Sequence, residues 1–304
     1  MNTGIGGFVD IQINGAFGHD FTEDPDSIWL VGDRLTESGV EAFLPTIISS
    51  PPGTVEKALA VLAQGPPANY QGARPLGLHV EGPMLAPSRR GTHPKQFLQL
   101  PSLAVIEGWT AGAGVLMVTL APELPGARAV VETLLSEGVV VALGHSAATY
   151  EEATAAFSWG VTHVTHLFNA MPPFDHREPG PIGALLGQEQ VTAGLIVDGI
   201  HVHPAMVATA WRLLGPERVV LVSDAMAAAG LGDGSFSIGT VPVTVEGGRV
   251  VNADGRLAGS SLFLDQAVRN LVTFTGCSEA EAIAAATTNP LTVLGKQPLE
   301  GGWS

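Results

Sequence analysis

The sequence predicts an α/β fold of the (β/α)8 TIM-type barrel class, and three observations carry that expectation. Eight short apolar runs recur along the chain, at 8–15, 41–48, 75–81, 115–120, 139–144, 161–166, 192–198 and 218–224. Most are continuous in Val, Ile, Leu and Ala rather than alternating, as expected of parallel strands covered on both faces. Segments of helical spacing separate them over about 220 residues, the proportions of such a barrel. The rival is a doubly wound open sheet, but no G-x-G-x-x-G follows the first run.

The first run, FVDIQING (8–15), reads as a strand with Phe8, Val9, Ile11 and Ile13 suited to burial. Asp10, Gln12 and Asn14 alternate with them and line one face. Burying an amide without partners costs roughly 1–3 kcal/mol, so this polar face needs a purpose at the strand's end. DSIWLVGDRLTESG (26–39) then has helical spacing and a Gly stop. EAFLPTII (41–48) is a short apolar strand and TVEKALAVLAQ (54–64) a helix; further helices fit 126–137, 149–159 and 204–214. SFSIGTVPVTVEGGRVVNADGRLAGS (235–260) breaks the rhythm with period-two valines and a Gly-Gly turn, which predicts a β-hairpin inserted after strand eight. Two or three helices close the chain, from SLFLDQAVRNLVTFTG and SEAEAIAAATTNPLTVLG. No repeat or linker divides residues 1–304, so one domain is expected.

Composition narrows the function. With 45% hydrophobic and 14% charged residues, 304 residues can bury a sizeable core. A formal charge of −15 repels polyanions and argues against nucleic acid or an acidic membrane surface as a partner. A small anion remains compatible, because a local cluster of Arg and His overrides the distant field. The single cysteine, Cys277, leaves no intrachain disulfide framework and no multi-cysteine metal site. With no signal-peptide pattern and no apolar run of about 18 residues, a cytoplasmic protein is expected.

Barrels of this class place their chemistry at the C-terminal ends of the strands. Those ends carry Gln12 and Asn14, then Glu81, Glu123, His145, His166, His201 and Asp224. Glu81 (GLHVEGPML), His145 (LGHSAATYEEA) and His166 (VTHVTHLFNAMP) form one carboxylate and two imidazoles, a suitable set for a divalent transition metal with an open position for water, Zn2+ foremost. The bland reading makes them caps of the following helices. His79, His163 and His203 are better read as satisfied core or surface histidines. Asp224 (LVSDAM) could take the proton of a metal-activated water and hand it to a leaving group. Arg177 (DHREPG) taken alone reads as a surface arginine in a Pro/Gly-rich loop.

Together, HVEGPML…RRGTH, GHSAATYEEA, THLFNAMPPFDHREPG, DGIHV, LVSDAM and LAGSSLFLDQAVRNLV closely resemble the N-acetylglucosamine-6-phosphate deacetylase family of the amidohydrolase superfamily, in order from about residue 7 to about residue 295. The resemblance implies that Glu81, His145 and His166 hold one divalent metal per subunit, Zn or otherwise Fe, Co or Mn. It implies Asp224 as general acid/base and His93 as the residue that polarises the acetyl carbonyl. Sugar-phosphate contacts would come from Asn169, Ala170, Arg177 and His201, with Leu257, Ala258 and Gly259 over the sugar or acetyl group. A homodimer is implied as well, since a neighbouring subunit can complete the phosphate site. Many members of the superfamily carry H-x-H on the first strand for a second metal; here the pair is Gln12-x-Asn14, which implies the single-metal branch with Gln12 as a hydrogen-bonding residue of the site.

The family's extra β-domain is built from residues before the first barrel strand and after the last helix. Here Met1 lies close to strand one and the chain stops at PLEGGWS, so that small domain is expected to be reduced or missing and the 235–260 hairpin to show open edges. Alternatives at this point are a deacetylase for another amino-sugar phosphate, such as N-acetylgalactosamine 6-phosphate, and a catalytically weak sugar-phosphate binder.

Overall fold

A computed structural model describes residues 7–296. Eight parallel strands form the barrel path of the central sheet, β1 (Phe8–Ile13), β2 (Val40–Ile48), β3 (Leu78–Glu81), β4 (Val115–Leu120), β5 (Val140–Leu143), β6 (His163–Val164), β7 (Thr192–Leu195) and β8 (Val219–Leu221), and a two-residue ninth, Arg74–Pro75, pairs with β2. Along the path, each strand pairs with the next in chain order. The ring closes just beyond the ends of β8 and β1, where Asp224 N–H donates to Gln12 O at 2.9 Å and Asn14 N–H to Ala225 O at 2.7 Å. The Asp10 carboxylate supports the same seam, accepting from Ser223 N–H at 3.3 Å and Gln12 N–H at 3.2 Å. Burial pushes Asp10 up to about 7, against the hydrogen bonds from Ser223 and Gln12.

Helices cover the barrel because their apolar residues recur at i, i+3, i+4 and i+7. Helix α1 is Ile28–Leu35 and α2 is Thr54–Gln64. On α3 (Ala127–Ser136) the buried stripe is Ala127, Val130, Val131 and Leu134. Helix α4 (Tyr150–Ser158) opens with a capping box between Thr149 and Glu152. Beyond α5 (Gly180–Leu186), α6 (Pro204–Leu214) buries Val207, Ala210, Trp211 and Leu214. Helix α7 (Leu264–Thr275) buries Leu264, Ala267, Val268 and Leu271, and α8 (Glu279–Ala284) and α9 (Thr288–Val293) follow. Fully burying one such side chain contributes about 1.5–3 kcal/mol, so each stripe is enough to hold its helix to the sheet.

The structure differs from the sequence expectation in four places. Only Ile28–Leu35 of the 26–39 segment is α-helical; 3-10 turns flank it and Gly39, at φ 78°, ends it. Helix α5 was not anticipated, because its seven Gly- and Pro-rich residues show no helical periodicity. Strands β3, β6, β7 and β8 are shorter than the apolar runs, and His166 (φ 30°) and Asp224 (φ 47°), expected at strand ends, lie outside the extended region. The inserted hairpin at 235–260 is instead a three-stranded antiparallel sheet: β9 (Gly234–Ile238), β10 (Val241–Glu246) and β11 (Arg249–Asn252).

The small sheet is not isolated. Its inner face, Ile238, Val243, Val245 and Val250, packs on Ile48, Met226, Ala227, Ala228 and Ala258 at the barrel mouth. The β11 edge, expected to be open, is met by the chain's own return, with Ala258 N–H on Val250 O at 3.2 Å. At the β9–β10 turn, Gly239 N–H donates to Asp20 Oδ2 at 2.8 Å. The segments from which the family's extra β-domain would come lie partly outside the described residues.

Val245→Ala, on the inner face, is expected to lower unfolding free energy by about 1–3 kcal/mol. The outward-facing Thr244→Ala should stay within about 0.5 kcal/mol of the parent. Urea titration of both checks this, and equal effects would mean that the sheet does not bury its inner face in solution.

Candidate active site

Three donor atoms meet where β3, β5 and β6 end. Glu81 Oε1 lies 3.0 Å from His166 Nε2 and 3.2 Å from His145 Nε2, and the two imidazole nitrogens are 3.1 Å apart. All three residues are buried. Tetrahedral ligands at zinc distances stand about 3.3 Å from one another, so the spacing suits a shared ion. The tautomer of His145 agrees: Nδ1–H donates to Arg89 O at 2.9 Å, which leaves a lone pair on Nε2. His166 Nδ1 is buried without a protein partner among the described residues. Burial pushes Glu81 up, but the two imidazoles beside it hold it well below the usual carboxylate range.

His93 joins this cluster differently. The ligand-capable atoms of Glu81, His93 and His145 all lie within 4.8 Å of one another, which makes His93 a candidate ligand by distance. Yet His93 Nδ1 accepts the Ser49 backbone N–H at 3.2 Å. A neutral ring therefore carries its proton on Nε2, which faces Glu81 Oε2 at 3.8 Å as a donor rather than a lone pair. Burial, with His145 next, holds His93 down at about 3, which keeps it neutral.

On the other side of Glu81 lies the polar face of β1. Gln12 Nε2 donates to Glu81 Oε1 at 3.2 Å and to Asp224 Oδ1 at 3.4 Å, and Asn14 Nδ2 donates to Asp224 Oδ1 at 2.8 Å. Ionised carboxylates only accept, so the amide nitrogens face them and Gln12 bridges the two acids as a donor. Asp224 is pushed up to about 6, by burial first and by the Glu81 charge second.

Three of these side chains sit on left-handed backbone: His145 (φ 48°), His166 (φ 30°) and Asp224 (φ 47°). Such conformations cost of order 1–3 kcal/mol each for residues with a Cβ, and local bonds must hold them. Ser260 N–H donates to Asp224 O at 2.8 Å, and Asn169 N–H to His166 O at 3.0 Å. After His145, the Glu123 carboxylate accepts from Ser146 Oγ at 2.7 Å and Ala147 N–H at 2.6 Å. Hydrogen bonds to a charged acceptor contribute about 1.5–3 kcal/mol, enough to offset one such corner.

A cavity of about 380 Å³ opens over this cluster. Glu81, His93, His145, His166, Asp224, Asn169, Ala170, His201, Leu257 and Gly259 line it, as the sequence anticipates. Gln12 lies beneath, bonded to two of them. Ala258 turns into the core under the small sheet. Arg177 does not reach the cavity of its own chain: it is exposed, and its backbone N–H donates to Asp175 Oδ1 at 2.8 Å. His79 is a buried core residue bonded to Ile11 O and Thr119 Oγ1. His163 bonds Thr192 Oγ1, and His203 caps α6 by accepting Ala205 N–H.

Sequence reading missed four residues here. Asp198 accepts His201 Nδ1–H at 2.6 Å and two backbone N–H groups, which fixes that ring. The D-x-x-H spacing within DGIHV was the available signal. Ser49 orients His93 through its backbone N–H and its Oγ, the latter 2.9 Å from Nδ1, and only the fold brings the two together. Arg89 and Arg256 also line the cavity, and only the fold brings them there.

A model of the amidohydrolase family matches residues 5–299 of this chain. The chain belongs to the amidohydrolase family. The mouse N-acetylglucosamine-6-phosphate deacetylase is 40% identical to it over 312 residues, 97% of this chain and 75% of that protein. The N-acetylgalactosamine-6-phosphate deacetylase of Escherichia coli O157:H7 is 38% identical, over 95% of this chain and 77% of the other. Among solved structures, a mutant N-acetyl-D-glucosamine-6-phosphate deacetylase from Mycobacterium smegmatis, in complex with N-acetyl-D-glucosamine-6-phosphate, superposes with a TM-score of 0.88 at 35% identity, covering 96% of this chain and 78% of that one. This amidohydrolase has no helix, among the described residues, long and apolar enough to cross a membrane.

Proposed function

We propose that this amidohydrolase hydrolyses the acetamide of N-acetylglucosamine 6-phosphate to glucosamine 6-phosphate and acetate. The observation that carries this reading is the set of donor atoms on Glu81, His145 and His166, 3.0–3.2 Å apart, beside an acid and a protonated imidazole nitrogen. One divalent ion per chain, zinc foremost, would sit on those three donors. When bound there it supplies Lewis acidity towards the acetyl carbonyl and lowers the pKa of a water to about 7.

The chain's own groups do the rest. Asp224, its Oδ1 held by Gln12 and Asn14, takes the proton of the attacking water. His93 Nε2–H donates to the carbonyl oxygen as negative charge grows there. Asp224 then returns the proton to the leaving nitrogen, which would otherwise depart as an unstable anion. His201, oriented by Asp198, binds the phosphate together with Asn169 and the backbone N–H of Ala170. Leu257 and Gly259 close over the sugar, with Ala258 packed behind them in the core. Arg177 reaches the phosphate of a second copy, which makes the active form a homodimer in which residues 1–304 act as one domain. The protein acts in the cytoplasm, which the single thiol of Cys277 suits.

A second reading keeps the chemistry and changes the sugar to N-acetylgalactosamine 6-phosphate; the 38% identity to the E. coli O157:H7 enzyme favours keeping it open. Acetate release from a panel of phosphorylated and unphosphorylated N-acetyl sugars, with zinc added, tests both. No release from any of them would leave a binding protein.

Asp224→Asn is expected to keep zinc and lower kcat by about 10²–10⁴, the range for a positioned acid/base. Asp224 works ionised, so activity of the parent should fall as pH drops through about 6 or lower, since a bound cation can only pull that value down. The acidic limb should vanish in Asp224→Asn, and its persistence would assign it to another group.

Chelator-stripped protein reloaded with zinc should hold one ion per chain by elemental analysis, because the Gln12 amide occupies the β1 side of Glu81 as a donor. Two tightly held ions would make Gln12 or Asn14 a ligand. Arg177→Met should cost a few kcal/mol in kcat/KM for the phosphorylated substrate and far less for N-acetylglucosamine, as expected when one partner of a charge-assisted pair is removed. Equal losses on both would indicate a structural role.

A further inference from the structure

We infer that Glu123 is a positioning residue for the metal centre: from outside the cavity it fixes the corner at His145 and so sets where the Nε2 donor stands. The inference rests on the proposed reading of Glu81, His145 and His166 as ligands.

Glu123 lies three residues beyond β4 and is absent from the lining of the catalytic cavity. It borders a cleft on the other side of the 121–127 loop, with Arg128 and Trp159. Both of its oxygens are committed, Oε2 to Ser146 Oγ–H at 2.7 Å and Oε1 to Ala147 N–H at 2.6 Å. Ser146 is fully buried, and its Oγ also accepts Ala148 N–H at 3.0 Å. A carboxylate carried by the loop after one strand thus grips the two residues that follow a ligand on the next strand.

Two further restraints on His145 come from the loop after β3. Its carbonyl accepts Ala86 N–H at 2.9 Å, and its Nδ1–H donates to Arg89 O at 2.9 Å. Without Glu123, residues 146 and 147 lose the contacts that oppose relaxation of φ at His145 from 48° towards the ordinary range. Relaxation there swings the Cα–Cβ bond and moves Nε2 away from its 3.2 Å station beside Glu81 Oε1. A mere helix cap is the competing role. Helix α4, however, begins at Tyr150 with its own capping box between Thr149 and Glu152, so Glu123 is not needed to start it.

The test uses Zn2+ itself, measured by competition with a chromophoric chelator, alongside the melting temperature of metal-free protein. Glu123→Ala is expected to bind zinc about 10–100-fold more weakly than the parent, the range for removing a partner of a ligand. Glu123→Gln keeps an oxygen for Ala147 N–H and an amide donor for Ser146 Oγ, and should recover most of that loss. Parent-like zinc affinity in Glu123→Ala, with only the metal-free melting temperature lowered, overturns the inference and leaves Glu123 a loop cap. A Gln variant as weak as the Ala variant overturns it too. Should Glu123→Ala not fold, Ser146→Ala removes one of the two bonds and is read the same way: weaker zinc supports positioning, unchanged zinc overturns it. A parent that binds no zinc would sink the ligand reading itself, and this inference with it.

Discussion

One buried carboxylate organises the mouth of this barrel. Glu81 is 3% exposed, and an uncompensated charge at that depth would cost several kcal/mol. Every element that relieves it comes from a different part of the chain: Gln12 from β1, His93 from the loop after β3, His145 from the end of β5 and His166 from the end of β6. The strands therefore have to close in the right order for that charge to be tolerated at all. The same closure that satisfies Glu81 assembles the reactive groups, so the stability of the fold and the competence of the site share one cause.

The second constraint is conformational. A parallel strand delivers its side chains alternately inward and outward, and by itself it cannot aim three of them at one point. Left-handed corners at His145, His166 and Asp224 do the aiming, at a cost met by bonds from Glu123, Asn169 and Ser260 to the adjoining backbone. The seam between β8 and β1 adds to this. Asp224 N–H donates to Gln12 O there, so the proposed acid/base sits on the hydrogen bond that closes the barrel.

Much of this was legible in the sequence, for definite reasons. Eight apolar runs have to be covered on both faces, and that demand, with no G-x-G-x-x-G after the first run, selects the barrel over an open sheet. Glu81, His145, His166 and Asp224 stood out because acids and imidazoles at the ends of apolar runs have few other uses. What stayed hidden depends on backbone geometry or on three-dimensional proximity. Helix α5 lacks an apolar period. The third strand of the inserted sheet was folded into a hairpin because a Gly-Gly turn marks only one of its two reversals. Ser49 meets His93 through both its amide and its hydroxyl, across 44 residues of chain that only the fold brings together. Arg89 reaches the cavity from a 3-10 turn, and Arg256 from the loop after β11. Arg177, placed in the phosphate site by resemblance, is exposed and absent from the cavity lining.

The inserted sheet has a consequence for how such a protein can change over time. Its residues and their return loop, including Ile238, Arg256, Leu257 and Gly259, form one wall of the cavity, while the barrel ends supply the floor. Wall and floor are packed as separate apolar clusters, the wall around Val243, Val245 and Val250 and the floor on the barrel core. Substitutions on the small sheet can therefore reshape the chamber while Glu81, His145 and His166 keep their places, whereas the return loop reaches Asp224 through Ser260 N–H. Discrimination between two sugars that differ at one hydroxyl can drift in the insertion while the chemistry stays fixed beneath it.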